Sequence, residues 1–177
     1  MMRRRDLLAG VVSAGALGTA GALHVFGMPF GSTVGEEPAH GQVAVSGVEA
    51  TGSEARPVSL PADNAVTFVD LFATTCTVCQ AQMPALGEAA DSLPDVKFVS
   101  VTAERESFID DAGIADWWDE YDGRWQVARD DSYDFVRHYS RATPTAVIFD
   151  ADGRLRYEET GRKSADEIIE EIEAVTG

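Results

Sequence analysis

Residues 72–84 read "FATTCTVCQAQMP" and hold Cys76 and Cys79, the only two cysteines of the 177-residue chain. They follow an apolar run, "VTFVDLF" at 66–72, whose β-branched and aromatic content reads as a buried strand. Residues 79–92 read as a helix with Ala81, Leu86 and Ala89 on one side. The cysteines therefore fall where a buried strand hands over to a helix. Free amides and the helix dipole favour an anion there, so a thiol at that point loses its proton readily. The C-x-x-C spacing brings both sulfurs within disulfide reach on one turn. A redox pair competes with half a metal site, with a structural bridge and with two small hydrophobes. A zinc site lacks two ligands, and a bridge over so short a loop would stabilise little.

Outward from this point, residues 58–60, 96–102, 125–128, 145–149 and 154–159 read as strands or extended segments. Helices are expected over 114–121, over 132–139 with Ser132 as N-cap, and over 164–175 behind the capping box Ser164-Ala165-Asp166-Glu167. The tetrapeptide "DADG" at 150–153 is a hairpin signal; it opens like a calcium loop but lacks the later glutamate. Trp117 and Trp118 read as packing residues. The order is β-α-β, a helical and extended insert, then α-β-β-α, which makes a layered α/β domain with a mixed sheet over 57–177. Residues 31–56 have the Gly, Ser, Glu and Ala content of a linker, with at most a loose edge strand at 42–48.

The first thirty residues look like an address. Arg3, Arg4 and Arg5 precede an uncharged run at 7–28, which is a positive n-region before an h-region. "RRDLL" resembles a twin-arginine export signal, with Ala20-Gly21-Ala22 as a cleavage site; the 7–28 run is also long enough for a retained membrane anchor. Export to the outer face of the membrane or beyond follows from either. The 30 acidic residues against 14 cations give net −16, a charge repelled by nucleic acid and anionic membranes. Only Lys97 and Lys163 are lysines. Abundant carboxylates with so little lysine point to solubility in high salt, and hence to a halophilic, haloarchaeal source.

On these residues the chain resembles the thioredoxin superfamily across 57–177, and its exported TlpA and ResA branch in particular. Asp70 lies six residues before Cys76, Pro84 eight residues after it, and "CTVCQAQMP" fits C-x-x-C-x-x-x-M-P. Thr143-Pro144-Thr145 before a strand ending in "FDADGRL" matches the family's cis-proline loop and final hairpin. The resemblance implies a thioredoxin-like fold and a thiol–disulfide oxidoreductase that acts on exported protein partners, supplied by a separate redox donor, with no cofactor and no metal. Cys76 is then the attacking thiolate, Cys79 the resolving thiol and Asp70 its proton acceptor, while cis-Pro144, Thr143 and Thr75 flank the partner. Two departures stand out: Thr75 replaces the family's tryptophan, and Thr77-Val78 lacks the usual proline; that dipeptide tunes the reduction potential. Two other functions share the fold. One is a Sco-type copper carrier, which needs C-x-x-x-C and a distant histidine, with His138 the single candidate in the domain; the other is a redox-silent interaction domain.

Overall fold

Strand β3 (Thr67–Phe72) is buried at every position, which is why its sequence lacks the alternation of a half-wet strand. The structure, a computed structural model, describes residues 41–177. The expected export signal or anchor and residues 31–40 of the expected linker lie outside the described residues. In chain order the other strands are β1 (Val43–Gly47), β2 (Pro57–Leu60), β4 (Lys97–Thr102), β5 (Gln126–Arg129), β6 (Thr145–Phe149) and β7 (Leu155–Thr160). They form one mixed sheet in the order β2-β1-β5-β4-β3-β6-β7. β3, β4 and β5 run parallel, and β6, β7, β1 and β2 extend the sheet antiparallel on either side. The α/β expectation with a mixed central sheet holds.

Period-two alternation sends Phe68, Asp70 and Phe72 to one face of β3, and Val69 and Leu71 to the other. The first face meets helix α1 (Thr77–Ser92), helix α2 (Asp111–Glu120) and helix α4 (Ala165–Thr176), with Cys79, Met83, Leu86, Trp118, Ile168 and Ile172 in one cluster. Trp117 stacks on Phe72 with ring centroids 4.9 Å apart, so both tryptophans pack the interior as expected. The second face meets Phe135 and Val136 of the short helix α3 (Asp134–His138). Helix α4 begins on Ser164 with both halves of the capping box formed.

Two sequence expectations are corrected. Residues 42–48 were expected to give no more than an edge strand in a linker; β1 instead lies inside the sheet, antiparallel to both β2 and β5. The residues after it are tied down too: Ser53 Oγ donates to the Val48 carbonyl and Trp118 Nε1 to the Thr51 carbonyl. The true edges are β7 and β2, and β2 opens on a proline, which an edge strand tolerates. At α3 the N-cap is Tyr133, in the left-handed region at φ 59°, and not Ser132. The carboxylate of buried Asp130 accepts the N–H groups of Asp134 and Val136, doing the capping from outside the turn.

Candidate active site

The parallel strands β3 and β4 end on the same side of the sheet, and the loops leaving them build the site. After Phe72 the chain turns through Ala73, Thr74 and Thr75, and Cys76 becomes the N-cap of α1 in extended conformation. Its Sγ accepts the Cys79 N–H at 3.1 Å, in the place of a capping hydroxyl. Cys76 and Cys79 are joined as a disulfide, their Cα atoms 5.2 Å apart. Cys79 is 1% exposed, whereas Cys76 is half-buried and Thr75 beside it is open to solvent. One sulfur thus sits at the surface and its partner in the core.

Asp70 is 2% exposed and projects from β3 towards the face that holds Cys79. Its Oδ2 accepts a hydrogen bond from Ser100 Oγ at 3.3 Å, and Ser100 accepts one from Trp125 Nε1 at 3.0 Å. Oδ1 has no partner among the described residues. Burial pushes the Asp70 carboxyl up to about 7, with the Ser100 hydrogen bond pulling the other way. A buried carboxyl poised near neutrality can hold or release a proton in the working pH range.

The Thr143–Pro144 peptide bond is cis, and the Thr143 carbonyl oxygen lies 3.7 Å from Cys76 Sγ. Pro144 accepts the Gly161 N–H at 2.9 Å, where Gly161 adopts φ +119°, a conformation open to glycine. Thr75, Cys76, Cys79, Thr143 and Pro144 therefore gather past the C-terminal end of β3, while Asp70 lies within that strand. His138 ends α3, exposed, with Nδ1 2.6 Å from the Asp134 carbonyl. Among the described residues no group of three or more His, Cys, Asp or Glu side chains is placed to hold a metal ion.

Three residues with no sequence-based expectation complete the surroundings. Glu104, just past β4, accepts the Thr74 N–H at 2.7 Å, the Thr74 hydroxyl at 3.0 Å and the Thr102 hydroxyl at 3.1 Å. It clamps the loop that presents Cys76. Arg129 is buried, donates to the Glu104 and Ile109 carbonyls at 2.6 and 2.9 Å, and pairs with Asp111. Gln82 is wholly buried; its Oε1 accepts the Lys163 N–H at 2.9 Å, and its Nε2 has no partner among the described residues. Gln82 was legible in principle, because it lies three residues after Cys79 and four before Leu86, on the face those two bury.

A family model described as Redoxin matches residues 39–175 of the chain. Among curated proteins, a thiol-disulfide oxidoreductase ResA from Bacillus thuringiensis subsp. konkukian is 22% identical over 112 residues. That match spans 62% of this chain and 62% of the relative's own length. Among solved structures, a putative thiol:disulfide interchange protein DsbE from Chlorobium tepidum superposes with a TM-score of 0.67 at 18% identity, covering 82% of this chain and 100% of its own. A secreted disulfide oxidoreductase from Mycobacterium tuberculosis gives 0.62 at 19% identity, over 75% of this chain and 96% of its own. These likenesses establish the thioredoxin-like fold.

Proposed function

The chain belongs to the Redoxin family, and from that premise we propose that it is a thiol–disulfide oxidoreductase working through Cys76 and Cys79. The observation that carries the reading is the asymmetry of the pair: Cys76 half-exposed as N-cap of α1, Cys79 buried beneath it. In the reducing direction the Cys76 thiolate attacks one sulfur of a partner disulfide. A Cys76–partner bond forms, and the other partner sulfur leaves as thiolate. Cys79 then gives its proton to Asp70, attacks Cys76 Sγ and expels the second partner thiolate, which leaves the Cys76–Cys79 disulfide. Two electrons pass to the partner, and the reverse sequence oxidises a dithiol. An extended partner segment pairs with the Thr143 backbone beside Pro144, with Thr75 on its other flank.

The partners in this reading are exported proteins, and a separate donor restores the dithiol. The twin-arginine pattern at residues 4–8 and the 7–28 run support export, with the run either cleaved or kept as an anchor. Among the described residues no helix is long and apolar enough to cross a membrane. Single turnover of the reduced protein with bis(2-hydroxyethyl) disulfide tests the chemistry. Wild type should end as the internal disulfide, Cys79→Ser should stop at a mixed disulfide on Cys76 visible by mass, and Cys76→Ser should not react. Reaction of Cys76→Ser at the wild-type rate would overturn the reading.

A further inference from the structure

The chain carries net −16, yet the cleft beside the dithiol is lined by cations. It encloses about 600 Å³ between the ends of β3 and β4, the loop after β4, α3 and the loop before Pro144. Leu71, Val101 and Val136 contribute apolar walls, and Thr143, whose carbonyl neighbours Cys76, stands at its rim. Its charged lining is Arg105, Arg137, Arg141 and Glu104. Glu104 is the one acid, and its carboxylate oxygens are engaged by Thr74 and Thr102. Arg137 is partly satisfied by Asp134 at 3.3 Å. Among the described residues Arg105 meets only an uncharged partner, its Nε donating to Tyr133 Oη at 3.2 Å. Arg141 is exposed and has neither an ion pair nor a side-chain hydrogen bond among the described residues. Most other arginines of the domain pair with a carboxylate, as Arg56, Arg124, Arg129, Arg154 and Arg156 do.

This cation-lined wall is also held in place. Buried Arg129 ties the carbonyls of Glu104 and Ile109 to β5, which fixes the loop that carries Arg105. The cleft is thus a shaped feature with an apolar floor, two cations lacking a carboxylate partner among the described residues and a backbone edge at Thr143.

We propose that this cleft is a docking groove for an extended protein segment that bears Asp or Glu beside its redox-active cysteine, with Arg105 and Arg141 pairing the carboxylates. The proposal rests on the exchange reaction above and adds the class of partner. Repulsion from the acidic surface at large acts over a screening length of about 10 Å at 0.1 M salt. Contacts inside the groove are shorter than that, so they decide the sign. A segment rather than a small anion fits because the apolar floor and the Thr143 backbone offer a strand-like partner both burial and main-chain pairing.

The test compares two peptides with the reduced, desalted protein. Each holds one cysteine as a mixed disulfide with 2-mercaptoethanol, flanked by two glutamates or two lysines on each side. Attack by Cys76 on the peptide sulfur releases 2-mercaptoethanol, and resolution by Cys79 releases the peptide thiol. The readout is the ratio of the single-turnover second-order rate constant for the glutamate peptide to that for the lysine peptide, in which a general change of dithiol reactivity cancels. Two exposed ion pairs, each modest in strength, set the expected wild-type ratio on the order of tenfold. In Arg105→Glu/Arg141→Glu the ratio should fall below one. Arg154→Glu makes the same kind of charge change in the β6–β7 turn, at the opposite end of β3, and should leave the ratio at its wild-type value.

A wild-type ratio near one, or an equal fall with Arg154→Glu, overturns the groove and leaves only net charge. If 3,3′-dithiodipropionate is preferred over bis(2-hydroxyethyl) disulfide as strongly as glutamate over lysine peptide, the occupant is a small carboxylate and the segment is wrong. If wild type reduces neither small disulfide, the exchange reaction itself fails, an outcome separate from loss of the charge preference.

Discussion

Helix α4 begins on a serine and two carboxylates, whereas helix α1 begins on a sulfur and none. At α4, Ser164 caps, Glu167 closes the box, and Asp166 adds a second negative charge to the first turn. Helices α2 and α3 likewise carry Asp111 and Asp134 there. In a chain with 30 acidic residues, α1 is the described helix whose first turn has no acid at all. Three helices thus neutralise their positive ends with fixed charge, and one leaves its end open for a charge that comes and goes. The difference teaches that stability and reactivity are set by the same device, a helix N-terminus, used in opposite ways.

The largest effect should appear at the sulfurs themselves. With the disulfide reduced, iodoacetamide at pH 7 should modify Cys76 about a hundredfold faster than Cys79, read by mass in the Cys79→Ser and Cys76→Ser variants. Both the open helix end and the burial difference favour Cys76, whose pKa should fall below the free value of about 8.5. Equal rates would break the contrast at its strongest point.

Asp70 comes next, a buried carboxylate of β3 on the sheet face that α1 covers. Asp70→Asn should leave the first attack by Cys76 close to wild type and slow resolution by Cys79, on the order of a hundredfold. The same variant reports on stability of the oxidised protein, in which the cysteines do not titrate. Asp70 is raised to about 7 in the folded chain, far above its unfolded value, so the folded state holds the proton more tightly. Its burden on stability is therefore absent below about pH 4, grows as pH rises towards 7 and is complete above that. Asp70→Asn should gain stability over wild type along that same rise, by a few kcal/mol at pH 8 and little at pH 4. Urea midpoints at the two pH values check this; an equal difference at both would remove Asp70 from the proton accounts.

The sequence made the centre of this site readable and its rim obscure, for physical reasons. β3, α1 and the cysteines announce themselves within fifteen residues, because burial on both faces and a helix start leave local patterns. Ser100 bonds Asp70 only through cross-strand register, and Glu104 reaches Thr74 across thirty positions; neither distance is written in local spacing. β1 is hidden in the sequence for the same cause. Only Val45 of its five residues is fully buried, and the strand is held by partners such as Arg129 and Ala128, far along the chain. At α3 the satisfying group is Asp130, outside the turn, so the nearest serine drew the cap one residue early.

A smaller effect sharpens the helix comparison directly. Val78 is 45% exposed in the first turn of α1, and Val78→Glu would give that helix what the others have. A carboxylate beside the Cys76 thiolate adds like charge and satisfies the helix end in its place, so the Cys76 pKa should rise. With dipole and charge effects of about 0.3–1 kcal/mol at such sites, alkylation at pH 7 should slow by roughly two- to fivefold. The slowing should shrink in 1 M salt, where screening shortens to about 3 Å. An unchanged pH profile would mean that the missing acid is incidental.

The smallest effect belongs to the other member of the pair. Ser164→Ala removes the hydroxyl that accepts the Glu167 N–H and leaves one amide of the α4 first turn unsatisfied. Losing such a cap costs about 1 kcal/mol, a lowering of Tm by roughly 3 °C for a domain of this size. Ile168 and Ile172 still anchor α4 in the core, so the helix should persist with a frayed start. Fraying there can reach the dithiol through Lys163, whose N–H holds the Gln82 amide in α1. If α4 serves stability alone, Ser164→Ala should shift the melting curve and leave the Cys76 alkylation profile where it was. A matching shift in that profile would show the two helix starts to be coupled through Gln82, and the division between a structural and a reactive terminus would fail.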